Sequence, residues 1–352
     1  MDLTVIGAGN GALAAAGHAA LNGHRVRLWD RYLDPDSALV RSGQITLAGA
    51  VSGVATVDAT RPALGDAVAG ADLVMVVVPG FAISWIAGAL APHVRPGQSV
   101  LLHPGGTGGA LEVAHIWGAA GTGVVLGATD TLAYACRVDR DGTVGVHALK
   151  KHLMVSAVDS ARTAALTGLV RQLYPQAAAE PSILDVLFAN LNPVIHPPIT
   201  LLNAGRIEAG QHFRFYGDGV GPGVAALIRA LDAERVAVAR AYGCSALDLD
   251  AWIERAYQVR DRDLVRLFAV LDRDVYHGLA SPSAIESRYL TEDLPFGLAC
   301  TAEFAAVAGV PVPVTDAVLR VGRTLCATPP GRTLADMGLA GLTAGEISAM
   351  AA

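Results

Sequence analysis

The chain has 352 residues, of which 52% are hydrophobic, and its formal net charge is −6. This length is sufficient for two domains of ordinary size. Lysine and arginine are scattered along the chain, so no basic stripe is available for a nucleic-acid backbone, and we expect no nucleic-acid partner. The four cysteines lie far apart without CxxC or metal-ligand spacing. We therefore expect free thiols and no metal.

The first strand-like segment, residues 3–6, begins almost at the first methionine and follows an acidic residue. We therefore expect no signal peptide and a cytoplasmic protein. Residues 73–92 form a charge-free run of membrane-spanning length. Pro79-Gly80 divides that run, which favours a buried parallel strand at 73–78 and a covering helix at 81–90. We expect no membrane association.

A nucleotide-binding βαβ unit is predicted at the start of the chain. Residues 3–6 and 25–29 have strand character, and an alanine-rich helix lies between them. Gly7 permits a tight turn, Gly9 lets the backbone approach a pyrophosphate, and Ala12 allows close helix packing. The phosphates then lie at the helix N terminus. The residues predicted to contact the dinucleotide here are Gly7, Gly9, Asn10, Gly11 and Ala12.

Asp30 follows the second predicted strand, where an acid hydrogen-bonds ribose hydroxyls and repels a 2′-phosphate. It favours NAD(H). Arg31 leaves NADP(H) open, because its guanidinium is suited to contact either a 2′-phosphate or the adenine face. The alternative is a solvated surface charge. Pro79 and Thr107 complete the predicted cofactor residues. Thr107 lies in a glycine-rich turn whose bare backbone suits contact with cofactor or substrate; the alternative is an ordinary glycine turn.

The first half of the chain predicts a doubly wound α/β sheet. Small strands are expected at 45–47 and 54–57, and further strands alternate with helices at 73–78, 99–102, 124–126 and 153–158. From residue 182 the long segments have helical spacing. We predict an N-terminal Rossmann dinucleotide-binding domain at 1–180 and an all-α C-terminal catalytic and substrate domain at 181–352. The expected helices are about 182–208, 222–242, 247–271, 282–290, 295–309 and 313–326.

Residues 190–208 form an apolar helical pattern with polar groups on one side. Asn192 and His196 are four residues apart and Asn203 lies seven further on, so all three share one helix face. Prolines at 193, 197 and 198 remove helical N–H donors and favour a kink. The pattern predicts an active-site helix. The alternative is a structural core histidine beside a proline cluster.

Two polar clusters follow in the helical half. Residues 213–219 form a glycine-punctuated loop, interpreted either as a lid or as a simple turn. Residues 287–297 place a cation, a phenol and two carboxylates ahead of a helix. Thr291 or Asp293 is also suited to capping that helix.

Taken together, the motifs resemble the opine dehydrogenase family. They are Gly7-x-Gly9-x-Gly11-Ala12, Pro104-Gly-Gly-Thr-Gly-Gly-Ala-Leu-Glu112, Tyr134-Ala-Cys-Arg137, Asn192-Pro-x-x-His196-Pro, Leu202-Asn-Ala-Gly-x-Ile-Glu208 and Arg288-Tyr-x-Thr-Glu-Asp293-x-Pro-x-Gly297. The resemblance covers residue 3 to about residue 325. It implies NAD(P)H-dependent reductive condensation of a 2-oxo acid, such as pyruvate, with the amino group of an amino acid. The product is an N-(1-carboxyalkyl) amino acid, and the reverse oxidation is implied as well.

The resemblance also implies residue roles. His196 is similar to the family's catalytic histidine, Asp293 to its carboxylate partner, and Arg288 to the arginine that holds a substrate carboxylate. These roles suit the chemistry, since a histidine titrates in the working range and a guanidinium binds carboxylates as a fork. The predicted substrate-binding residues are Arg288, Asn192, Asn203, Arg206 and Tyr134.

Some assignments stay open at this stage. Asn192 positions either the amino-acid substrate or the histidine, and Arg206 binds a carboxylate or pairs on the surface with Glu208 or Asp218. The chain also departs from the family pattern near Tyr134. Ala133 stands where a proline is expected and Asp130 where a glutamate is common, which affects substrate fit at that segment.

Two other functions are consistent with a Rossmann domain followed by helices. One is plain reduction of a 2-oxo acid, as in ketopantoate reductase or glycerol-3-phosphate dehydrogenase; such enzymes usually depend on a lysine, and Lys150 and Lys151 are the only lysines here. The other is a non-catalytic NAD-binding sensor, which has no need for His196, Asp293 and Arg288 together. A homodimer is left open.

Overall fold

A seven-stranded sheet forms the centre of the amino-terminal half in a computed structural model, which describes residues 1–60 and 62–351. The strands of the chain are β1 Asp2–Ile6, β2 Arg25–Trp29, β3 Gln44–Gly49, β4 Gly53–Thr56, β5 Leu73–Val76, β6 Ser99–Leu102, β7 Val125–Thr129, β8 Tyr134–Val138, β9 Val144–Leu149, β10 Leu153–Ala157 and β11 Ala177–Ala179. The large sheet has the order β11-β10-β7-β6-β5-β1-β2.

The neighbouring strands of this sheet are parallel except for β10, which pairs antiparallel with β7. Strands β5, β6, β7 and β10 are buried along their whole length. Such near-continuous apolar strands are expected where helices cover both faces of a parallel sheet. The predicted α/β class is confirmed, as are a strand and a helix in the charge-free run at 73–92.

The helices that accompany this sheet are α1 Asn10–Leu21, α2 Ala38–Ser42, α3 Leu64–Val68, α4 Ile83–Leu90, α5 Gly109–Trp117 and α6 Thr163–Val170. Across the described part of the chain, no helix is both long and apolar enough to cross a membrane.

A second sheet, with the order β4-β3-β9-β8, was not predicted as a separate unit. Strands β8 and β9 were missed, although Asp141-Gly142 between them is a typical hairpin signal. Gly142 has a φ of +87°, and Asp139 N–H donates to the Thr143 carbonyl at 2.8 Å, which closes the turn. The side chain of Asn10 accepts a hydrogen bond from Val138 N–H at 3.1 Å, so β8 is tied to the start of α1.

The carboxyl-terminal half is helical. Its helices are α7 Ile183–Phe188, α8 Asn192–Leu202, α9 Ala204–Glu208, α10 Pro222–Ala241, α11 Leu249–Tyr257, α12 Leu264–Leu271, α13 Arg288–Thr291, α14 Ala299–Ala308, α15 Pro313–Leu325 and α16 Ala344–Ala351. Two compact units result. One comprises Met1–Gly105 with Gly109–Ile183, and the other comprises Gly106–Gly108 with the chain from Leu184 onward.

Several predicted helix boundaries were wrong. The helix expected at 182–208 is divided into α7, α8 and α9, and the one expected at 247–271 is divided into α11 and α12. Gln258 adopts a left-handed conformation with φ of 59° and ends α11, while the Asp263 carboxylate caps α12 through Val265 N–H. Of the helix expected at 282–290, only residues 288–290 are helical, as the start of α13, and α16 was not anticipated.

Candidate active site

The glycine turn of the amino-terminal unit has the geometry of an anion-binding helix start. Gly7 has a φ of +118°, and a Cβ placed on it would lie 2.3 Å from the Val77 carbonyl oxygen, so only glycine fits. Helix α1 begins after Gly9, and no side chain in the described residues caps it. A Cβ at Gly9 would have no neighbour within 4 Å. The free amides and open backbone fit a dinucleotide pyrophosphate.

The other predicted residues of this turn have structural contacts of their own. Ala12 is fully buried against the sheet side of α1. Gly11 faces Leu132, whose Cδ2 would lie 2.8 Å from a Cβ at that position. Asn10 is exposed, and its Oδ1 holds Val138 N–H as described above.

Asp30 lies beside the glycine turn. Its Oδ2 accepts from Ala8 N–H at 2.9 Å, and its Oδ1 accepts from Tyr32 N–H at 2.7 Å. The carboxylate is therefore held in place at the end of β2, where a ribose is expected. Arg31 is exposed, with its guanidinium carbon 4.8 Å from the centre of the Trp85 ring and 5.6 Å from that of Tyr32.

Pro79 and Thr107 lie in different units. Pro79 is exposed just after β5, before a short 3₁₀ turn at Gly80–Ala82. Thr107 is buried in the helical unit, where its Oγ1 accepts from the Asn190 amide at 3.2 Å. Its carbonyl accepts from Arg332 Nη1 at 2.7 Å. Arg332 lies beyond the residues that carry the family resemblance, and no local pattern in the chain predicts this contact.

His196 and Asp293 meet in the helical unit. His196 lies in α8, and Asp293 follows α13 and precedes a π-helical turn at Leu294–Leu298. The distance from His196 Nδ1 to Asp293 Oδ2 is 2.7 Å, and the two side chains are only 13% and 10% exposed. Because an ionised carboxylate only accepts hydrogen bonds, Nδ1 carries the proton. The pairing that the motifs implied is present.

Tyr216 completes the surroundings of the imidazole, and it was not among the predicted site residues. Its hydroxyl lies 3.0 Å from His196 Nε2. Burial, followed by the neighbouring tyrosines, raises the pKa of Tyr216 well above its ordinary value, so the phenol stays protonated. The rings of Tyr289 and Phe215 pack nearby, with centroids 4.5 Å and 6.1 Å from the imidazole. Only the aromatic character of the loop at 213–219 hinted at this contact.

Close backbone packing supports the His196–Asp293 pair. A Cβ on Gly297, in the π-helical turn after Asp293, would lie 2.2 Å from Pro193 Cγ in the first turn of α8. Prolines 197 and 198 lie inside α8, so the carbonyls of residues 193 and 194 lack the helical N–H partner that another residue would supply.

Arg288 is at the start of α13, and its side chain is 68% exposed. Its Nη2 lies 3.1 Å from Glu292 Oε2. Burial acts to lower the pKa of the Arg288 guanidinium. The carboxylates of Glu292 and Asp293 outweigh it and hold that pKa above its ordinary value. The cation is thus close enough to the dyad to interact with it, and it is accessible to an anion.

Asn203 and Arg206 brace the loop at 213–219. Asn203 donates to the carbonyls of Ile199 at 2.8 Å and Gly219 at 2.9 Å, and it accepts from Arg206 Nη1 at 3.0 Å. Arg206 also donates to the carbonyl of Asp218 at 3.2 Å. Its guanidinium lies 4.0 Å from the centre of the Phe213 ring.

Two more predicted substrate residues differ in their surroundings. Asn192 is half-buried at the start of α8, and its backbone N–H donates to Asn190 Oδ1 at 3.3 Å. Tyr134 is buried inside the amino-terminal unit, where its hydroxyl lies 2.9 Å from His18 Nδ1 and donates to Tyr174 at 3.0 Å.

The chain is similar to known proteins in sequence and in fold. Residues 179–326 match the family model for the NAD/NADP octopine/nopaline dehydrogenase alpha-helical domain. The opine dehydrogenase of Arthrobacter sp. (strain 1C) is 34% identical over 348 residues, which covers 97% of this chain and 96% of that protein.

Two groups of solved structures have the same fold. An octopine dehydrogenase in complex with NADH and agmatine is 24% identical with a TM-score of 0.75, covering 92% of this chain and 89% of that one. An NADP+-bound yersinopine dehydrogenase is 17% identical with a TM-score of 0.73, covering 99% of this chain and 97% of that one.

The contact between Gly297 and Pro193 yields a stability prediction. Gly297→Ala should lower the free energy of unfolding by about 1–3 kcal/mol, because the added methyl group overpacks the contact between α8 and the π-helical turn. Gly205→Ala is the matched control. Gly205 is exposed in α9 and a Cβ there meets no atom within 4 Å, so that change should be neutral or slightly stabilising. Denaturant unfolding measures both; equal stabilities of the two variants would contradict the packing argument.

Proposed function

The chain belongs to the opine dehydrogenase family, and from this membership we propose how its own residues carry out the family's reaction. The enzyme is a nicotinamide-dependent oxidoreductase that acts on CH–NH bonds and joins a 2-oxo acid to the amino group of an amino acid. The observation that carries the residue assignment is the 2.7 Å contact between His196 and Asp293. We assign dinucleotide binding to residues 1–180 and catalysis to residues 181–352.

The condensation needs an acid. The amine adds to the 2-oxo acid to give a carbinolamine, whose hydroxyl leaves as water once it has received a proton. The bound nicotinamide supplies the hydride for the resulting C=N bond. His196 donates that proton from Nε2, while Asp293 accepts from Nδ1 in both protonation states and keeps the ring in one orientation. The histidine then recovers its proton before the next turnover.

Tyr216 pairs with Nε2 whenever no substrate oxygen takes that position. A phenol both donates and accepts, so the same hydroxyl donates to neutral Nε2 and accepts from protonated Nε2. This prevents a half-buried imidazole nitrogen from losing its partner when the proton leaves. We assign Tyr216 a direct role at the acid, beside the incoming substrate oxygen.

Arg288 binds a substrate carboxylate. Its guanidinium is exposed and forms a planar fork, and its ion pair with Glu292 limits the directions that it adopts. Asn192, one helical turn before His196, positions the amino-acid substrate. Asn203 and Arg206 support the loop that carries Tyr216, and Tyr134 supports the interior of the amino-terminal unit. We assign none of these three a direct contact with substrate.

The cofactor is a nicotinamide dinucleotide, and we propose a preference for NAD(H). The fixed carboxylate of Asp30 suits ribose hydroxyls and repels a 2′-phosphate. Arg31 lies over the Trp85 ring, an arrangement that favours contact with an adenine face over an ion pair with phosphate.

Amine dependence tests the reaction class. With pyruvate and a panel of amino acids, NADH absorbance should fall only when both substrates are present, because the hydride acceptor is the C=N bond. Pyruvate alone should give no oxidation, and NADPH should be used less efficiently than NADH. Oxidation of NADH by pyruvate at the same rate without any amine would instead indicate a plain 2-oxo acid reductase.

Removal of the His196 imidazole should reduce turnover more than removal of the Tyr216 hydroxyl. His196→Ala should lower kcat by about a hundredfold or more, and Tyr216→Phe by roughly tenfold through loss of one hydrogen bond. Affinity for NADH should stay near that of the unmodified enzyme in both variants. Tyr242→Phe is the control, since its hydroxyl only donates to the Phe304 carbonyl at 2.8 Å. Near-normal turnover of His196→Ala would remove His196 from the mechanism.

Replacement of the guanidinium by an ammonium should weaken carboxylate binding. Arg288→Lys should raise KM for the 2-oxo acid by roughly tenfold with a smaller effect on kcat, because an ammonium cannot form the fork. Arg229→Lys serves as the control at a surface ion pair with Asp250. A KM that matches the control would show that Arg288 has only a structural role.

A further inference from the structure

Lys150 is a buried cation that the proposed reaction does not use. It follows β9 in the amino-terminal unit, and only 7% of it is exposed. Its Nζ donates to Thr131 Oγ1 and to the Leu132 carbonyl, both at 2.7 Å, and its backbone N–H donates to the Ala133 carbonyl at 2.8 Å. One residue therefore holds three consecutive positions of the segment that follows β7.

That segment packs directly on the dinucleotide turn. A Cβ on Gly11 would lie 2.8 Å and 2.9 Å from the two δ-methyl groups of Leu132, so this side chain already fills the space beside Gly11. Gly11 is in the first turn of α1, whose free amides are suited to the pyrophosphate. A shift of Leu132 would therefore be transmitted to the helix start that receives the phosphates.

We propose that Lys150 is a positioning residue for the dinucleotide: its ammonium fixes Thr131 and Leu132, and Leu132 in turn fixes Gly11 and the first turn of α1. The proposal rests on dinucleotide binding by the amino-terminal unit. It does not depend on the roles proposed for His196, Asp293 or Arg288.

The charge on Lys150 is sensitive to pH. Burial lowers the pKa of Lys150 to about 8, while the carboxylate of Asp130 and the thiol of Cys136 act in the opposite direction. His103 also faces the ammonium; burial first and then Lys150 lower the pKa of that imidazole to about 3, so it stays neutral. Near pH 8 Lys150 thus changes from a charged donor to a weaker neutral one, and its hold on Thr131 and Leu132 loosens.

Deprotonation of Lys150 has opposite effects on cofactor binding, which it weakens, and on the free energy of unfolding. Because the pKa of Lys150 is lower in the folded protein than in the unfolded chain, the unfolded chain binds more protons between about pH 8 and the ordinary lysine range. The contribution of Lys150 to the free energy of unfolding therefore rises with pH in that window. A loss of NADH affinity above pH 8 would therefore not result from unfolding caused by the titration of Lys150.

The test uses the full chain and NADH alone, with no other substrate. Lys150→Met keeps the length of the side chain and removes the charged donor, and it should raise the Kd for NADH by roughly tenfold through the two lost charge-assisted bonds. Lys151→Met is the matched control, since Lys151 is exposed and is the only other lysine. Its Kd should match that of the unmodified protein.

A pH series makes the test independent of the variant's folding. In the unmodified protein and in Lys151→Met, Kd for NADH should be constant below about pH 7 and rise as pH passes through about 8. It should approach the Lys150→Met value, which itself should not change over that range. A flat Kd in the unmodified protein from pH 7 to about pH 10 would overturn the proposal, as would a folded Lys150→Met variant with unchanged affinity.

Failure of the proposed reaction would look different. An enzyme that binds NADH with this pH dependence but shows no amine-dependent oxidation would keep Lys150 in its role and contradict the assignments in the helical unit. Amine-dependent turnover, together with a Kd for NADH that does not change in Lys150→Met, would support the assignments in the helical unit and contradict the role of Lys150.

Discussion

The hydrogen bond between His196 and Asp293 is the interaction on which the proposed active site depends. Asp293 is largely buried and can only accept, which gives the imidazole one orientation and one tautomer. The prolines of α8 and the Gly297 contact bring two segments, 97 residues apart in the chain, to within 2.7 Å. The chemistry of the site follows from this backbone packing, because a shift of about 1 Å in either segment would break the bond.

In the proposed reaction, the polar residues divide into those that meet substrate and those that hold the others in place. We assign His196, Tyr216 and Arg288 to the first group from their exposure or their contact with the proposed acid. Asn203 has both polar atoms of its side chain bonded inside the protein, and Lys150 bonds to the segment at 131–132. In each case a buried polar side chain pairs with one backbone carbonyl of a loop, that of Gly219 or that of Leu132, which costs less than leaving the carbonyl unpaired.

Local signals in the sequence predicted much of this structure. The glycine turn, the alternation of strands and helices, and the proline-rich helix each depend on residues close together in the chain. The pairing of His196 with Asp293 was inferred from motif resemblance, since no spacing rule relates them. The sequence did not predict three features: the contact of Tyr216 with His196, the hydrogen bond from Arg332 to Thr107, and the hairpin of β8 and β9. The first two arise from long-range packing that periodicity does not encode; the hairpin had a local signal, Asp141-Gly142, that was overlooked.

The turnover of Asp293→Asn measures how much the proposed acid depends on its hydrogen bond to Asp293. An amide of the same shape keeps the packing but offers a donor as well as an acceptor, so the imidazole loses the partner that fixes its tautomer. We expect kcat for amine-dependent NADH oxidation to fall by about a hundredfold or more, with the Kd for NADH unchanged. A variant that binds NADH normally and retains near-normal turnover would contradict it.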